Sequence, residues 1–336
     1  MKIFYWPAST TDGCWAYRID MVAEALAARG HDVRVDTRVG AWARDEADVW
    51  IGQRVCMNPP TAMWQAAAES GERPLVLELD DDLFSIDPRQ NRLADVFKDP
   101  QVRRNLEANI RVADLVTVST EPLAKVMRRY NPNVAVLPNS VRRAVLDMPL
   151  PKRRGKPVEE AGGRVVIGWQ GSATHVEDWK VMGSSIVDII TSQPWTFMRF
   201  LGTFHPAGMT IGQFELLPWT NDLTEHYRRV ARFDIGLAPL NGTLFNESKS
   251  ALRFVEAAAL GVPMVCSDVP AYRDVVEHGV TGFLARNPKQ WREYVQALVD
   301  DPQLRVRIGD AAREAARAWT IEERVTLWEQ AYGSLL

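Results

Sequence analysis

The chain has 336 residues, 46% hydrophobic and 25% charged, with 21 glycines and 20 prolines. That balance excludes disordered, collagen-like and low-complexity classes and, at about 150 residues per domain, leaves room for two domains. The net charge of −3 carries no electrostatic footprint of a dedicated nucleic-acid binder.

Lys2 to Trp6 is a short apolar run that stops at Pro7, which reads as a first strand and is too short for the apolar region of a signal peptide. Trp15, Ile19, Val22 and Leu26 recur at helical spacing, with Gly30 as the stop signal. Strands are expected at His31 to Asp36, Ala47 to Gly52 and Leu75 to Leu79, the last running into Asp80, Asp81 and Asp82. A helix over Thr61 to Ser70, closed by Gly71, separates the latter two. Val102, Leu106 and Ile110 mark another helix, Leu115 to Ser119 a strand, Leu123 to Tyr130 a helix and Val134 to Leu137 a strand. Strands alternating with helices imply a doubly wound parallel sheet.

Met148 to Gly163 is poor in apolar residues and rich in Pro, Gly, Lys, Arg and Glu, and reads as a solvated interdomain linker. Its Lys152, Arg153, Arg154 and Lys156 also leave open a peripheral contact with a membrane or a phosphate.

The pattern then restarts. Strands are expected at Arg164 to Trp169, Thr196 to Leu201, Phe214 to Leu217, Asp234 to Ala238 and Val262 to Ser267. Helices are expected at Val181 to Thr191, Leu223 to Ala231, Ser248 to Leu260, Gln290 to Val299, Leu304 to Ala318 and Ile321 to Tyr332. The domain plan is 1–147, a linker over 148–163, 164–320, and a C-terminal helix over 321–336 that packs back on the first domain. No window approaches the roughly 18 uncharged apolar residues of a membrane span. Cys14, Cys56 and Cys266 have neither metal nor disulfide spacing, which fits a reducing cytoplasm. The 12 tryptophans are expected mostly in the core.

Two such domains create a cleft, and ligands of parallel sheets bind beyond the carboxyl ends of the strands. No GxGxxG and no P-loop follows either first strand, which argues against a dehydrogenase or a Walker-type nucleotidase. Gly13, and Gly171 with Ser172, are the small residues where a phosphate could approach backbone N–H groups. If Ser248 to Leu260 is one helix, Lys249, Arg253 and Glu256 share a stripe at i, i+4 and i+7. Periodicity alone makes this a solvated face. Its position after a strand makes Lys249 a candidate for a diphosphate, and Glu256 one for the two hydroxyls of a ribose. The three adjacent aspartates repel one another and need solvent, cations or raised pKa values.

Several segments in order resemble the GT-B glycosyltransferases, in particular family 4 and the related glycosyl transferases group 1. They are Gly30-His31-Asp32-Val33, Leu137-Pro138-Asn139-Ser140-Val141, Ile167-Gly168-Trp169-Gln170-Gly171-Ser172 with His175 and Asp178, Asp234-Ile235-Gly236-Leu237-Ala238-Pro239, Lys249-Ser250, Glu256-Ala257-Ala258-Ala259-Leu260-Gly261-Val262-Pro263, and His278-Gly279-Val280-Thr281-Gly282-Phe283. The resemblance implies two Rossmann-like domains facing a cleft and transfer of a sugar from a UDP- or GDP-sugar, with retention, to a glycan, lipid-linked or protein hydroxyl. It implies no required cofactor and no metal. Pro218 and Trp219 would border the base, Glu256 the ribose, and Lys249, Ser250, Gly171, Ser172, His175 and Arg253 the diphosphate side. Gly13 and Arg18 would flank the donor. One of Asp80, Asp81 and Asp82 would orient or deprotonate the acceptor hydroxyl, with Lys249 as the other catalytic group.

Two departures stand out. The family's Glu-x7-Glu would place its first Glu at Ser248, and Glu247 is one residue off, which leaves the residue that grips the donor sugar open. Where relatives carry a His, this chain has the aspartate run, and Asp80-x-Asp82 also resembles the metal-holding DxD of GT-A enzymes. A non-hydrolysing nucleotide-sugar epimerase and a non-catalytic partner with a GT-B-like fold are the alternative readings.

Overall fold

The computed structural model describes residues 1–86, 94–151, 154–160, 162–171, 175–202 and 207–336. The chain divides into two compact units: Met1–Arg142 with Glu247–Ser250 and Thr320–Leu336, and Arg143–Asn246 with Ala251–Trp319.

The first unit is built on six parallel strands, β1 (Lys2–Trp6), β2 (Asp32–Val35), β3 (Val49–Gln53), β4 (Leu75–Leu79), β5 (Leu115–Val118) and β6 (Val134–Val136), in the order β2-β1-β3-β4-β5-β6. Every residue of β3, β4 and β5 is buried. Helices on both faces demand this, and it is why these strands are predominantly apolar, with Gln53, Glu78 and Thr117 as buried polar exceptions. Side-chain caps set the helix starts. Asp12 accepts from Trp15 N at 2.7 Å, Asp99 from Gln101 N at 2.7 Å and Thr120 from Leu123 N at 3.2 Å. The first helical stretch contains a π-turn over Ala16–Asp20.

The helix Ile321–Gly333 completes this unit. Thr320 bridges to Val141, and Ile321 N donates to Val141 O at 2.8 Å. Trp328 and Tyr332 are buried, and the Tyr332 hydroxyl lies 3.1 Å from that of Tyr5 on β1. At the rim, Glu329 takes Arg29 Nε at 2.6 Å and His31 Nε2 at 2.9 Å. Beneath it, Arg18 is 1% exposed, over the Trp328 ring. Its Nε donates to Glu78 Oε1 of β4 at 2.7 Å, its Nη1 to Leu137 O and to Asn139 Oδ1, while the Thr117 hydroxyl of β5 donates to Glu78 Oε2.

The second unit repeats the plan with β7 (Val165–Gly171), β8 (Thr196–Gly202), β9 (Phe214–Leu217), β10 (Ile235–Ala238), β11 (Met264–Ser267) and β12 (Phe283–Ala285), in the order β12-β11-β10-β7-β8-β9. This is the doubly wound order of dinucleotide-type folds, with the direction of winding reversing between β7 and β10. Gly202, at φ +142°, ends β8 where a Cβ would lie 2.0 Å from Gly171 O, so only glycine fits. Trp169 and Trp291 are fully buried here, as Trp64 and Trp328 are in the first unit, whereas Trp195 and Trp219 are exposed.

Four expectations change. The helix placed at Ser248–Leu260 forms only over Leu252–Ala259, after a separate turn of helix at Leu244–Glu247. Ser250 accepts from Asn139 Nδ2 at 2.9 Å, and Ser248 O accepts from the Thr120 hydroxyl at 2.8 Å. These alternative hydrogen bonds draw residues 248–250 out of helical geometry. Lys249 therefore shares no helical stripe with Arg253 and Glu256. The helix placed at Val181–Thr191 is broken at Gly183, φ +57°, into a 3₁₀ turn Lys180–Met182 and a helix Ser185–Ser192. The strand β12 was not anticipated, being only three residues long. In the segment read as a solvated linker, Arg154 pairs with Asp310 at 2.7 Å and donates to Val306 O at 3.1 Å, while Lys156 is exposed and Lys152 and Arg153 lie outside the described residues.

Burial pushes the Glu78 carboxyl above its ordinary value against the pull of Arg18 and Thr117, so each charge of this pair depends on the other. Glu78→Ala leaves a guanidinium buried without its carboxylate, and urea unfolding should show a loss of about 3–5 kcal/mol. The same truncation at Glu107, in the exposed pair with Arg111, should cost under about 1 kcal/mol.

Candidate functional site

In the first unit the winding reverses between β1 and β3, and residues just past the strand ends collect there. Gly13 opens the helix after β1, and a Cβ built on it would meet nothing within 4 Å, so packing does not require glycine. Arg18 is interior, spent on Glu78, Leu137 and Asn139.

The three aspartates past β4 have separate partners. The Asp82 carboxylate is buried and accepts from Phe84 N at 3.1 Å, an N-cap-like task. Asp81 Oδ1 is 3.3 Å from Lys249 Nζ, and Lys249 is counted in this unit. Asp80 holds the Ser119 hydroxyl on its backbone oxygen at 3.1 Å, while its Oδ1 is buried with no hydrogen-bond partner among the described residues. No group of three or more His, Cys, Asp or Glu suited to a metal ion exists among the described residues.

Sequence reasoning missed Arg54. It follows β3 with φ +49°, an unusual conformation for a non-glycine residue, and its Nη2 lies 2.8 Å from Asp12 Oδ2. Burial acts to lower its pKa, and the carboxylates of Asp80 and Asp12 outweigh that. Arg54 thus answers the repulsion expected of the aspartate run. Burial, with the Asp80 carboxylate, pushes the neighbouring Cys14 thiol well up, so it is not a thiolate nucleophile.

In the second unit the switch lies between β7 and β10. Gly171 ends β7, and Ser172 lies outside the described residues. Asp178, 1% exposed, binds the loops that follow both strands. Its Oδ2 is 2.7 Å from His175 Nδ1, and its Oδ1 accepts from Asn241 N at 3.0 Å and Asn246 Nδ2 at 2.6 Å. Burial acts to raise this carboxyl. The hydrogen bonds from His175 and Asn241 outweigh it and hold the group below its ordinary value.

Glu256 is 4% exposed in the helix Leu252–Ala259, not on a solvated face. Its Oε2 accepts from Gln170 Nε2 at 2.8 Å, and its Oε1 lies 3.5 Å from His226 Nε2. Arg253 reaches Pro239 O at 3.5 Å, and its Nη1 is buried without a partner among the described residues. Pro218 and the half-exposed Trp219 follow β9, with the indole N–H on Asn221 Oδ1 at 2.9 Å. The structure thus joins Glu256 to Gln170 and His226, and Lys249 to Asp81. Glu247, Lys249 and Ser250 are counted with the first unit, Arg253 and Glu256 with the second. Gln170 was visible only as part of the Gly-Trp-Gln-Gly run, and His226 only as a polar residue on an amphipathic helix.

Sucrose-phosphate synthase from Thermosynechococcus elongatus matches with a TM-score of 0.71 at 14% identity, over 100% of this chain and 99% of that one. Anabaena HepE in complex with UDP matches at 0.66 and 16%, over 100% and 99%. The chain has the GT-B fold. Likeness at such identities speaks for the fold and leaves chemistry to the site. The family Glycosyl transferases group 1 matches residues 248–315 of this GT-B chain. D-inositol 3-phosphate glycosyltransferase of Corynebacterium glutamicum (strain R) is 36% identical over 78 residues, 23% of this chain and 18% of that relative's length. The matched region contains Lys249, Ser250, Arg253 and Glu256. No described helix is long and apolar enough to cross a membrane.

Asp178→Asn replaces an acceptor by a donor facing Asn246 and should cost about 1.5–3 kcal/mol near neutral pH. Because the folded-state pKa is depressed, the stabilisation is complete above the unfolded value of about 3.9 and is lost as pH falls through the folded one. The difference between wild type and variant in denaturant melts should therefore shrink below about pH 4.

Proposed function

We propose that this protein transfers a sugar from a nucleotide-sugar donor to an acceptor hydroxyl, with retention of configuration at the anomeric carbon. The observation that carries this reading is Glu256, a buried carboxylate inside the glycosyl transferases group 1 region, held beside Gln170 near the end of β7. An anionic acceptor in a dry site is suited to the two hydroxyls of a ribose. The UDP named with HepE makes a UDP-sugar the first donor to test, followed by GDP-sugars.

In this reading Trp219 and Pro218 border the base. The helix Leu252–Ala259 begins at Ala251 without a side-chain cap, so its first N–H groups meet the diphosphate. Arg253 and Gly171 assist, together with Lys249 and Ser250, which precede that helix start in the chain. His175 acts through Asp178 by fixing the loops that follow β7 and β10. Catalysis is chiefly electrostatic: positive potential stabilises charge growing on the departing diphosphate. Asp80 is the acceptor-side group, because Asp82 is committed to Phe84 N and Asp81 to Lys249. Glu247 is a candidate for the donor sugar. Three unpaired cysteines support a cytoplasmic setting.

A thermal-shift screen against UDP-, GDP-, ADP- and dTDP-sugars should show stabilisation by one nucleotide class. Glu256→Ala should then weaken the matching nucleoside diphosphate by about 1.5–3 kcal/mol, the range for hydrogen bonds to charged groups. Unchanged affinity in a folded variant would refute the ribose role. Conversion of donor alone into its epimer would replace transfer by the epimerase reading.

Turnover should survive exhaustive EDTA, because cationic groups and the helix start meet the diphosphate. Asp80→Asn should cut transfer by at least about a hundredfold, the low end for a general base, and leave nucleotide affinity within a factor of two. Loss of turnover with EDTA and its return with Mn²⁺ would favour a metal on the aspartate run.

A further inference from the structure

β3 ends at Gln53, and the chain leaves the sheet through Arg54 at φ +49°. That backbone region is open to glycine and strained for a residue with a side chain. Glycine would relieve the strain, so what arginine adds at this position is its side chain.

The backbone fixes where that side chain starts. Arg54 N donates to Glu78 O at 3.0 Å, continuing the β3–β4 ladder, and Asp80 lies two residues beyond Glu78. Paired strands are about 4.8 Å apart, so Arg54 and Asp80 leave the sheet as neighbours. On the β1 side, Arg54 Nη2 donates to Asp12 Oδ2 at 2.8 Å, while the other Asp12 oxygen caps Trp15 N at 2.7 Å. Arg54 thus has a braced carboxylate on one flank and Asp80 on the other.

Charge decides what it does there. Asp12, Glu78, Asp80 and Asp81 all bring carboxylates to this edge of the sheet. Arg18 answers Glu78 through Nε at 2.7 Å, and Lys249 pairs with Asp81 at 3.3 Å. Burial lowers the Arg54 pKa, and Asp80, ahead of Cys14 and Asp12, raises it. The Arg18 charge also reaches Asp80, but its Nε and Nη1 are held by Glu78, Leu137 and Asn139. The Ser119 hydroxyl fixes the Asp80 backbone oxygen at 3.1 Å. An aspartate's terminal torsion is broad, so the direction of the carboxylate is left to its charged neighbours.

We propose that Arg54 is a positioning residue for the acceptor-side carboxylate: its guanidinium, braced on Asp12, supplies the countercharge of Asp80 and orients it. This rests on the acceptor-side role of Asp80 and gives Arg54 no contact with substrate. A packing role would damage the site whatever stands at position 80. A positioning role acts only through the Asp80 charge.

A double-mutant cycle separates the two. Nucleotide release from UDP-, GDP-, ADP- and dTDP-glucose is followed on the full chain, with methyl α- and β-glucopyranoside as acceptors. Truncation is to glycine, which accepts the left-handed backbone. Arg54→Gly should lower turnover about ten- to hundredfold, the size of a hydrogen bond to a charged group. Affinity for the nucleoside diphosphate should stay within about a factor of two, as for Asp80→Asn. In the Asp80→Asn background, Arg54→Gly should change turnover by less than about twofold. Arg54→Lys, which restores the charge, should regain at least about threefold over glycine. Should Arg54→Gly fail to fold, as judged by its melt, Arg54→Gln takes its place in the cycle. Losses that multiply in the double variant, no loss from Arg54→Gly, lost nucleotide affinity, or lysine no better than glycine, while Asp80→Asn still cuts transfer, overturn the proposal alone. Wild-type turnover in Asp80→Asn, or no release from any of the four donors, overturns the reading of Asp80 and the proposal with it.

Discussion

A strand inside a parallel sheet must bury both faces and must be followed by a crossover before the next strand can pair. That constraint governs both units. It makes the central strands predominantly apolar, demands helices on two sides, and delivers every crossover from the same edge of the sheet. The side chains with chemistry to do therefore gather past the carboxyl ends of β1, β3 and β4 in one unit and of β7 and β10 in the other. Asp80 and Glu256 are separated by 176 positions in the chain, yet each lies beside the switch region of its own sheet.

Polar groups drawn into such an edge must find partners there, and this chain answers in two ways. Asp178 and Glu78 are satisfied internally and hold loops and strands in place. Asp80 Oδ1 and Arg253 Nη1 are buried with no partner among the described residues. A folded protein tolerates unsatisfied groups of this kind chiefly where a ligand or ordered water completes them.

Much of the fold was legible because burial on both faces leaves a strong mark. β3, β4 and β5 read as strands from composition, and the stops at Gly30 and Gly71 are left-handed as expected. What escaped is local competition and distance. Nothing in Ser248-Lys249-Ser250 says that Asn139, more than a hundred residues earlier, will claim Ser250, so the helix was begun too soon. The same limit hid Arg54, whose meaning depends on Asp12 and Asp80 arriving from two other strand ends, and His226, which looks like part of a solvated face until Glu256 is beside it. Arg18 illustrates the reverse: a basic residue after the first strand suggests a ligand, and only the buried Glu78 shows that it is structural.

The C-terminal helix has a consequence for synthesis. Chain growth is directional, and at about 5–20 residues per second residues 320–336 emerge roughly ten seconds or more after β6 has left the ribosome. Until then the sheet that begins first lacks Trp328 over Arg18 and Tyr332 against Tyr5. The first sheet is thus translated well before the helix that completes it, and a nascent form of this unit is a sheet still waiting for residues 320–336.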